Sequence, residues 1–253
     1  MKIVVNDLHF KYNNTKIIDG ITFKLEDGKF YGIIGPNGAG KTTLLKLMSK
    51  ILKPAKGEIF IGNKNIAEIS YAEIAKVIAY VPQNSSFYPF SVFDYVMLGR
   101  IPYLKRLQKE SKKDREIVEN GLKFTDTLKF KDKSITEISG GEKQRAVIAK
   151  ALAQEPKILF ADEPISQLDI KYQIETLKIF KQLTKQGIMV VCALHDLNLA
   201  AMFCDFLILM DEGKILATGN PEEVLTEENI KNVYGIDVEI KRDKFLYILP
   251  KIL

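Results

Sequence analysis

Two stretches of this chain have the residue types and spacing to hold phosphate. Gly35-Pro36-Asn37-Gly38-Ala39-Gly40-Lys41-Thr42-Thr43 satisfies the Gly-x4-Gly-Lys-[Ser/Thr] pattern. In such a loop the glycines let backbone N–H groups converge on phosphate oxygens. The lysine, Lys41, brings a point charge to the β- and γ-phosphates, and the next hydroxyl, on Thr42, is placed to ligand Mg2+. Far downstream, Ser139-Gly140-Gly141-Glu142-Lys143-Gln144-Arg145 heads a helix with a serine and two glycines, a second anion-binding surface. Two such surfaces in one chain suggest a nucleotide held between two copies of it.

Further candidates cluster at the ends of apolar strands. Ile158-Leu159-Phe160-Ala161-Asp162-Glu163 is an apolar run that ends in two acids, and the carboxyl end of a strand is where parallel sheets bind ligands. Asp162 is expected to hold the metal through water, and Glu163 to polarise an attacking water as general base or positioner. Alone, the pair would read as a solvated acidic turn; the phosphate loop gives it context. Ser166-Gln167-Leu168-Asp169 follows closely, and His195 ends the run Ile188–Leu194. A strand-end histidine is more often structural than catalytic, but a phosphate-site sheet puts this one beside the nucleotide, so a γ-phosphate hydrogen bond is expected. His9 lacks that context and reads as a surface or core histidine. Gln83 follows Ala79-Tyr80-Val81-Pro82, where a neutral amide suits binding of Mg2+ or water by a moving loop. Tyr12, at the end of the first strand, suits stacking on adenine over a core role.

These residues require a particular scaffold. Residues 1–62 read as short strands, Ile3–Tyr12, Ile21–Glu26, Phe30–Ile34 and Glu58–Ile61, with turns at Asn13-Asn14 and Asp27-Gly28. A helix is expected from about Gly40 to Leu52, stopping before Pro54. Val92–Leu98, Ser111–Phe124 and Gly141–Leu152 have helical periodicity, interrupted by a basic stretch at Lys105–Arg115. Apolar strands then return at Lys157–Ala161, Ile188–Leu194 and Phe206–Met210. Such runs alternating with helices indicate an α/β fold with a mostly parallel sheet buried on both faces. Asn220-Pro221 and Thr226-Glu227 read as helix starts, and Val238–Ile240 with Phe245–Leu249 as a closing hairpin. The expected organisation is one domain over residues 1–253. Residues 1–85 and 153–253 form the core with an N-terminal antiparallel β subdomain and the tail, and residues 86–152 an inserted helical subdomain.

Composition excludes several classes. The 253 residues are 46% hydrophobic and 27% charged, as in globular proteins. No run approaches the ~18 uncharged apolar residues of a membrane span, and Met1–Asp7 lacks a signal-peptide apolar region. A cytoplasmic protein that meets a membrane through a partner is expected. Cys192 and Cys204 have no metal or redox spacing and read as small buried hydrophobes. The net charge of +5 is too diffuse to argue for nucleic acid.

Together these motifs resemble the nucleotide-binding subunit of ATP-binding cassette (ABC) transporters over essentially the whole chain, a P-loop NTPase fold. Tyr12 falls at that family's adenine loop, Gly35–Thr43 at Walker A and Gln83 at the Q-loop. Ser139–Gln144 falls at the signature, Ile158–Glu163 at Walker B, Ser166–Asp169 at the D-loop and His195 at the switch. Ile138 stands where leucine is usual, and Ile165 and Gln167 where threonine and alanine are common. These flank the dimer seam rather than the phosphate site. The resemblance implies ATP and Mg2+ as cofactors, with Glu163, His195, Lys41 and Gln83 catalytic and Thr42, Gln83 and Asp162 at the metal. It implies a head-to-tail homodimer with ATP between Walker A of one copy and Ser139-Gly140-Gly141-Glu142 of the other. The partners would be integral membrane permease subunits, docked near Gln83 and the helical subdomain on the cytoplasmic face, and an extracytoplasmic substrate-binding protein.

A finer resemblance concerns the cargo. Val96-Met97-Leu98-Gly99-Arg100-Ile101-Pro102, His195–Ala201, Gly219–Thr226 and Val233–Val238 are similar to importers of iron–siderophore, haem and cobalamin. Iron chelate is the expected cargo, with cobalamin or haem as alternatives. A soluble ABC protein would usually carry two cassettes or a long coiled coil, and no sustained heptads occur here. An exporter ATPase lacks support from the Leu-Gly-Arg-x-Pro run, and a non-catalytic ATP-gated module would not need both Glu163 and His195.

Overall fold

The computed structural model describes residues 1–105, 108–243 and 245–251; Arg106 of the basic stretch therefore lies outside the described residues. Along the chain run β1 (Ile3–Tyr12), β2 (Thr15–Leu25), β3 (Phe30–Ile34), α1 (Lys41–Met48), β4 (Lys56–Ile61), β5 (Lys64–Asn65), α2 (Tyr71–Ile74) and β6 (Ile78–Val81). Helices α3 (Val92–Met97), α4 (Lys112–Phe124) and α5 (Gly140–Ala153) follow. The chain then alternates through β7 (Ile158–Asp162), α6 (Ile170–Lys185), β8 (Met189–Ala193), α7 (Leu197–Phe203), β9 (Phe206–Asp211) and β10 (Lys214–Gly219). It closes with α8 (Pro221–Val224), α9 (Glu227–Tyr234), β11 (Val238–Arg242) and β12 (Leu246–Pro250).

The central sheet has the order β10-β9-β3-β8-β7-β6, parallel except for the edge strand β10. Its strands bury both faces, and the alternation separates two cores. Ile158 and Phe160 of β7 and Met189 and Val191 of β8 face α1 and an antiparallel sheet of order β2-β1-β4-β5. Leu159, Ala161, Val190 and Cys192 face the opposite core, which α3, α4, α5 and the C-terminal helices complete. Both cysteines are buried and free, and burial pushes both thiols up, so they act as core hydrophobes. The α/β class and the mostly parallel sheet are those expected from the sequence.

Two boundaries differ from expectation by more than two residues. Strand β2 begins at Thr15, not Ile21, because Asn13 at φ 52° closes a tight hairpin that pairs Tyr12 with Thr15. Helix α1 ends at Met48, not Leu52. Lys50 adopts φ 61°, which ends the helix, and its amine caps the Ile66, Ala67 and Ile69 carbonyls.

The Leu98-Gly99-Arg100 run has a structural reason as well as a family one. A Cβ on Gly99 would lie 2.2 Å from the Lys150 carbonyl oxygen, so the chain presses directly on α5 there. Arg100 is buried and donates to Asp114 (2.9 Å), the Ala153 carbonyl (2.7 Å) and Glu155 (2.8 Å), tying α4 to the end of α5. The Ser111 hydroxyl and backbone N–H, with Arg100 behind them, hold the Asp114 carboxyl at about 2, below its ordinary 3.8. That depressed value contributes stability above roughly pH 4, lost as pH falls toward 2. Arg100→Met is expected to cost about 3 kcal/mol at neutral pH, read as a lower urea midpoint at unchanged slope. The difference from the parent should narrow in part below pH 4 as Asp114 protonates, because Ser111 is the larger cause of the shift and is retained in the variant. Equal midpoints at pH 7 would show that the buried brace contributes nothing.

Candidate active site

The phosphate loop joins β3 to α1 and is braced from both sides. Gly35, Gly38 and Gly40 have φ of 145°, 85° and 98°, where glycine has no steric penalty. A Cβ on Gly35 would lie 2.1 Å from the Met210 carbonyl oxygen of β9, so the approach admits no side chain. The Gly213 N–H holds the Ala39 carbonyl at 3.2 Å. The Lys41 amine is buried inside the curl and donates to the Gly35 (2.7 Å) and Pro36 (2.9 Å) carbonyls. Burial lowers its pKa, and the charges of Glu163 and Asp162 oppose that shift.

Helix α1 begins differently from the rest. Its N-cap is Gly40, with no side-chain cap. The other eight α-helices among the described residues carry a capping Ser, Thr, Asp or Asn side chain. The first-turn N–H groups of α1 are therefore left for an outside acceptor, at the positive end of the helix dipole. They open onto a cleft of about 240 Å³ lined by Tyr12, Ile17, residues 37–43 and Glu163. Tyr12 is 45% exposed, with Phe10 edge-on at 4.8 Å.

The acids sit beside this loop. Asp162 at the end of β7 is buried, and it accepts from the Thr42 hydroxyl (2.8 Å) on Oδ1 and from the Tyr80 hydroxyl (3.1 Å) on Oδ2. Glu163 has φ 47°, a left-handed conformation that costs a non-glycine residue about 1 kcal/mol. Its carboxylate is bracketed: the Gln83 amide donates to Oε2 at 2.5 Å, and His195 Nε2 contacts Oε1. The structure thus brings Lys41, Thr42, Gln83, Asp162, Glu163 and His195 together. His9 stays apart, on the surface between Asp7 (2.9 Å) and Asp19 (3.3 Å).

Ser139 lies elsewhere. It caps α5 in a reciprocal box: its hydroxyl accepts from the Glu142 N–H (3.4 Å), while Glu142 accepts from the Ser139 N–H and hydroxyl, both at 2.8 Å. These bonds hold the Glu142 carboxyl below its ordinary value. Neither Ser139 nor Gly140 lines the phosphate-loop cleft of the same chain; Gly140 lines a second cleft with Gln83, Lys143, Gln144 and Gln167.

Two tyrosines of this region were not singled out from sequence. Tyr80 reaches Asp162, and only its place before Gln83 hinted at it. Tyr172 of α6 packs its ring on Gly141, where a Cβ would lie 2.3 Å from the ring, and it lies under the Arg145 guanidinium at 5.2 Å.

A family model described as ABC transporter matches residues 18–166, well over half of the chain. The chain belongs to the ABC transporter family. This ABC cassette is 42% identical over 242 residues to an uncharacterized ABC transporter ATP-binding protein of Methanocaldococcus jannaschii, covering 95% of the chain and 94% of that relative. It is 37% identical to the ferric enterobactin transport ATP-binding protein of Escherichia coli (89% of the chain, 84% of the relative). It is 35% identical to the cobalamin import ATP-binding protein of Halobacterium salinarum, covering 96% of the chain but 61% of that relative. A solved ABC transporter described as metal-chelate type, facing inward, superposes with a TM-score of 0.87 at 27% identity, over 99% of this chain and 97% of that one. The cassette is an ATPase of this family. Among the described residues, no helix is long and apolar enough to cross a membrane.

The contact between Gly141 and Tyr172 yields a test. Gly141→Ala is expected to destabilise the fold by about 1–3 kcal/mol, because the ring must move. In a Tyr172→Ala background the same change should be neutral or stabilising, since alanine favours a helix over glycine by about 1 kcal/mol. A double-mutant cycle in urea reads the difference, and additive effects would mean the two residues do not touch.

Proposed function

We propose that this cassette hydrolyses MgATP between two head-to-tail copies and thereby drives import through a membrane permease. The observation that carries this reading is the bracketed carboxylate of Glu163. It stands one residue beyond the Thr42–Asp162 pair, at the mouth of an uncapped helix that suits phosphate.

The site fits its parts. Thr42 and Asp162 are hard oxygen donors bonded to each other, the chemistry that suits Mg2+. No group of three or more His, Cys, Asp or Glu that could hold a metal occurs among the described residues, so phosphate oxygens and water would complete the shell. Bound Mg2+ would neutralise phosphate charge. Lys41 and the α1 N–H groups hold the β- and γ-phosphates, and Tyr12 stacks on adenine. Glu163 orients water and accepts its proton, while His195 and Gln83 set the direction of that carboxylate; His195 reads the γ-phosphate and the Gln83 amide serves Mg2+ or its water. Because Ser139 and Gly140 lie off the phosphate-loop cleft, a second copy supplies them to the nucleotide.

The permease docks near Gln83 on the cytoplasmic face, where Tyr88 and Phe90 leave large apolar surface exposed. An extracytoplasmic binding protein would deliver the cargo. The ferric enterobactin relative, the metal-chelate type neighbour and the Leu98-Gly99-Arg100 run support an iron chelate. The cobalamin import relative favours cobalamin as the second reading.

Glu163→Gln is expected to keep ATP affinity while turnover falls by about 10²–10⁴-fold, with dimers accumulating in ATP on size exclusion. Rapid turnover by that variant would remove Glu163 from its role. Ser139→Arg should leave ATP binding by the single chain intact and abolish the ATP-dependent dimer; undiminished dimerisation would rule out the two-copy site. Cargo is decided by uptake of labelled ferric siderophore against labelled cobalamin in cells with and without the cassette, and loss of neither would reject both readings.

A further inference from the structure

The two adjacent acids at the end of β7 receive donors from one neighbouring strand. Strand β6 runs parallel to β7, with Tyr80 paired to Phe160 and Val81 to Ala161. Tyr80 therefore lies on the same face as Phe160 and Asp162. Its ring packs partly into the core beneath α1, and its hydroxyl reaches one pleat further, to Asp162 Oδ2 at 3.1 Å. Gln83, just past the end of the same strand, serves Glu163 at 2.5 Å.

We infer that Tyr80 is a positioning residue for the divalent cation: its phenol O–H fixes the second oxygen of Asp162, so that the carboxylate presents a set direction to the metal's water shell. The inference rests on the MgATP reading of the site. Asp162 has two side-chain donors among the described residues, Thr42 and Tyr80. A Thr42 hydroxyl that turns its oxygen to a metal changes its bond to Oδ1, and Tyr80 then holds the carboxylate. Phenylalanine at this position would keep the packed ring and remove only the donor.

The experiment uses the full chain and two binding readouts. Affinity for a fluorescent ATP analogue is measured in EDTA, and Mn2+ bound in the presence of ATP is counted by electron paramagnetic resonance. For Tyr80→Phe the metal-free nucleotide affinity is expected to stay within about twofold, while Mn2+ affinity falls on the order of tenfold, as for other groups that orient a metal ligand. Unchanged Mn2+ affinity would overturn the assignment. So would an equal loss in EDTA, which would make Tyr80 a packing residue. Thr42→Val separates the two readings: if it too leaves Mn2+ binding intact, the metal site itself has been misplaced, and the role of Tyr80 falls with it.

Discussion

The open first turn of α1 is the constraint on which the rest of the site depends. A helix N-terminus leaves donor groups that must find acceptors, and each of the other α-helices described here satisfies one or two of them with its capping side chain. Helix α1 does not, because its cap is a glycine in the left-handed region. Gly35 leaves no room for a side chain beside Met210, nor Gly40 beside Ile17. Those neighbours come from β9 and β2, so the loop is shaped by the central sheet and the antiparallel sheet together.

Sheet order then explains why residues far apart in sequence share one site. The adjacent strands β3, β8, β7 and β6 run parallel, so their carboxyl ends lie side by side, about 4.8 Å apart. In that order they deliver the phosphate loop, His195, the Asp162-Glu163 pair and Gln83. The acids sit between a histidine on one side and an amide on the other, which is how Glu163 comes to be bracketed. Its left-handed backbone follows directly on the last residue of β7.

Much of this was legible in the sequence because the motif residues act through local backbone geometry. Gly-x4-Gly-Lys needs only a strand before it and a helix after it, and an apolar run ending in Asp-Glu declares its own strand end. What stayed hidden depends on contacts between distant segments. Tyr80 touches Asp162 only because β6 pairs with β7 in one particular register. Tyr172 meets Gly141 only because α6 packs on the start of α5. Arg100 was visible as a family trait, but its burial against Asp114 and Ala153 follows from the packing of three helices. Past the early end of α1 the Lys50 amine donates to the Ile66, Ala67 and Ile69 carbonyls, a contact no local pattern contains.

The starts of α1 and α5 differ in kind, and the difference bears on how the proposed two-copy site can switch. At α1 a phosphate displaces no side-chain cap, so binding there gains the helix-end donors outright. At α5 the donors of Ser139 are already engaged by the Glu142 carboxylate. In the proposed two-copy site, a phosphate brought here would compete with that carboxylate for Ser139 and would gain the first-turn N–H groups that the box leaves unused. The first surface is therefore suited to hold a nucleotide in a single chain. The second is suited to respond to how much phosphate charge reaches it, since only a differential interaction can shift the balance between open and closed pairs.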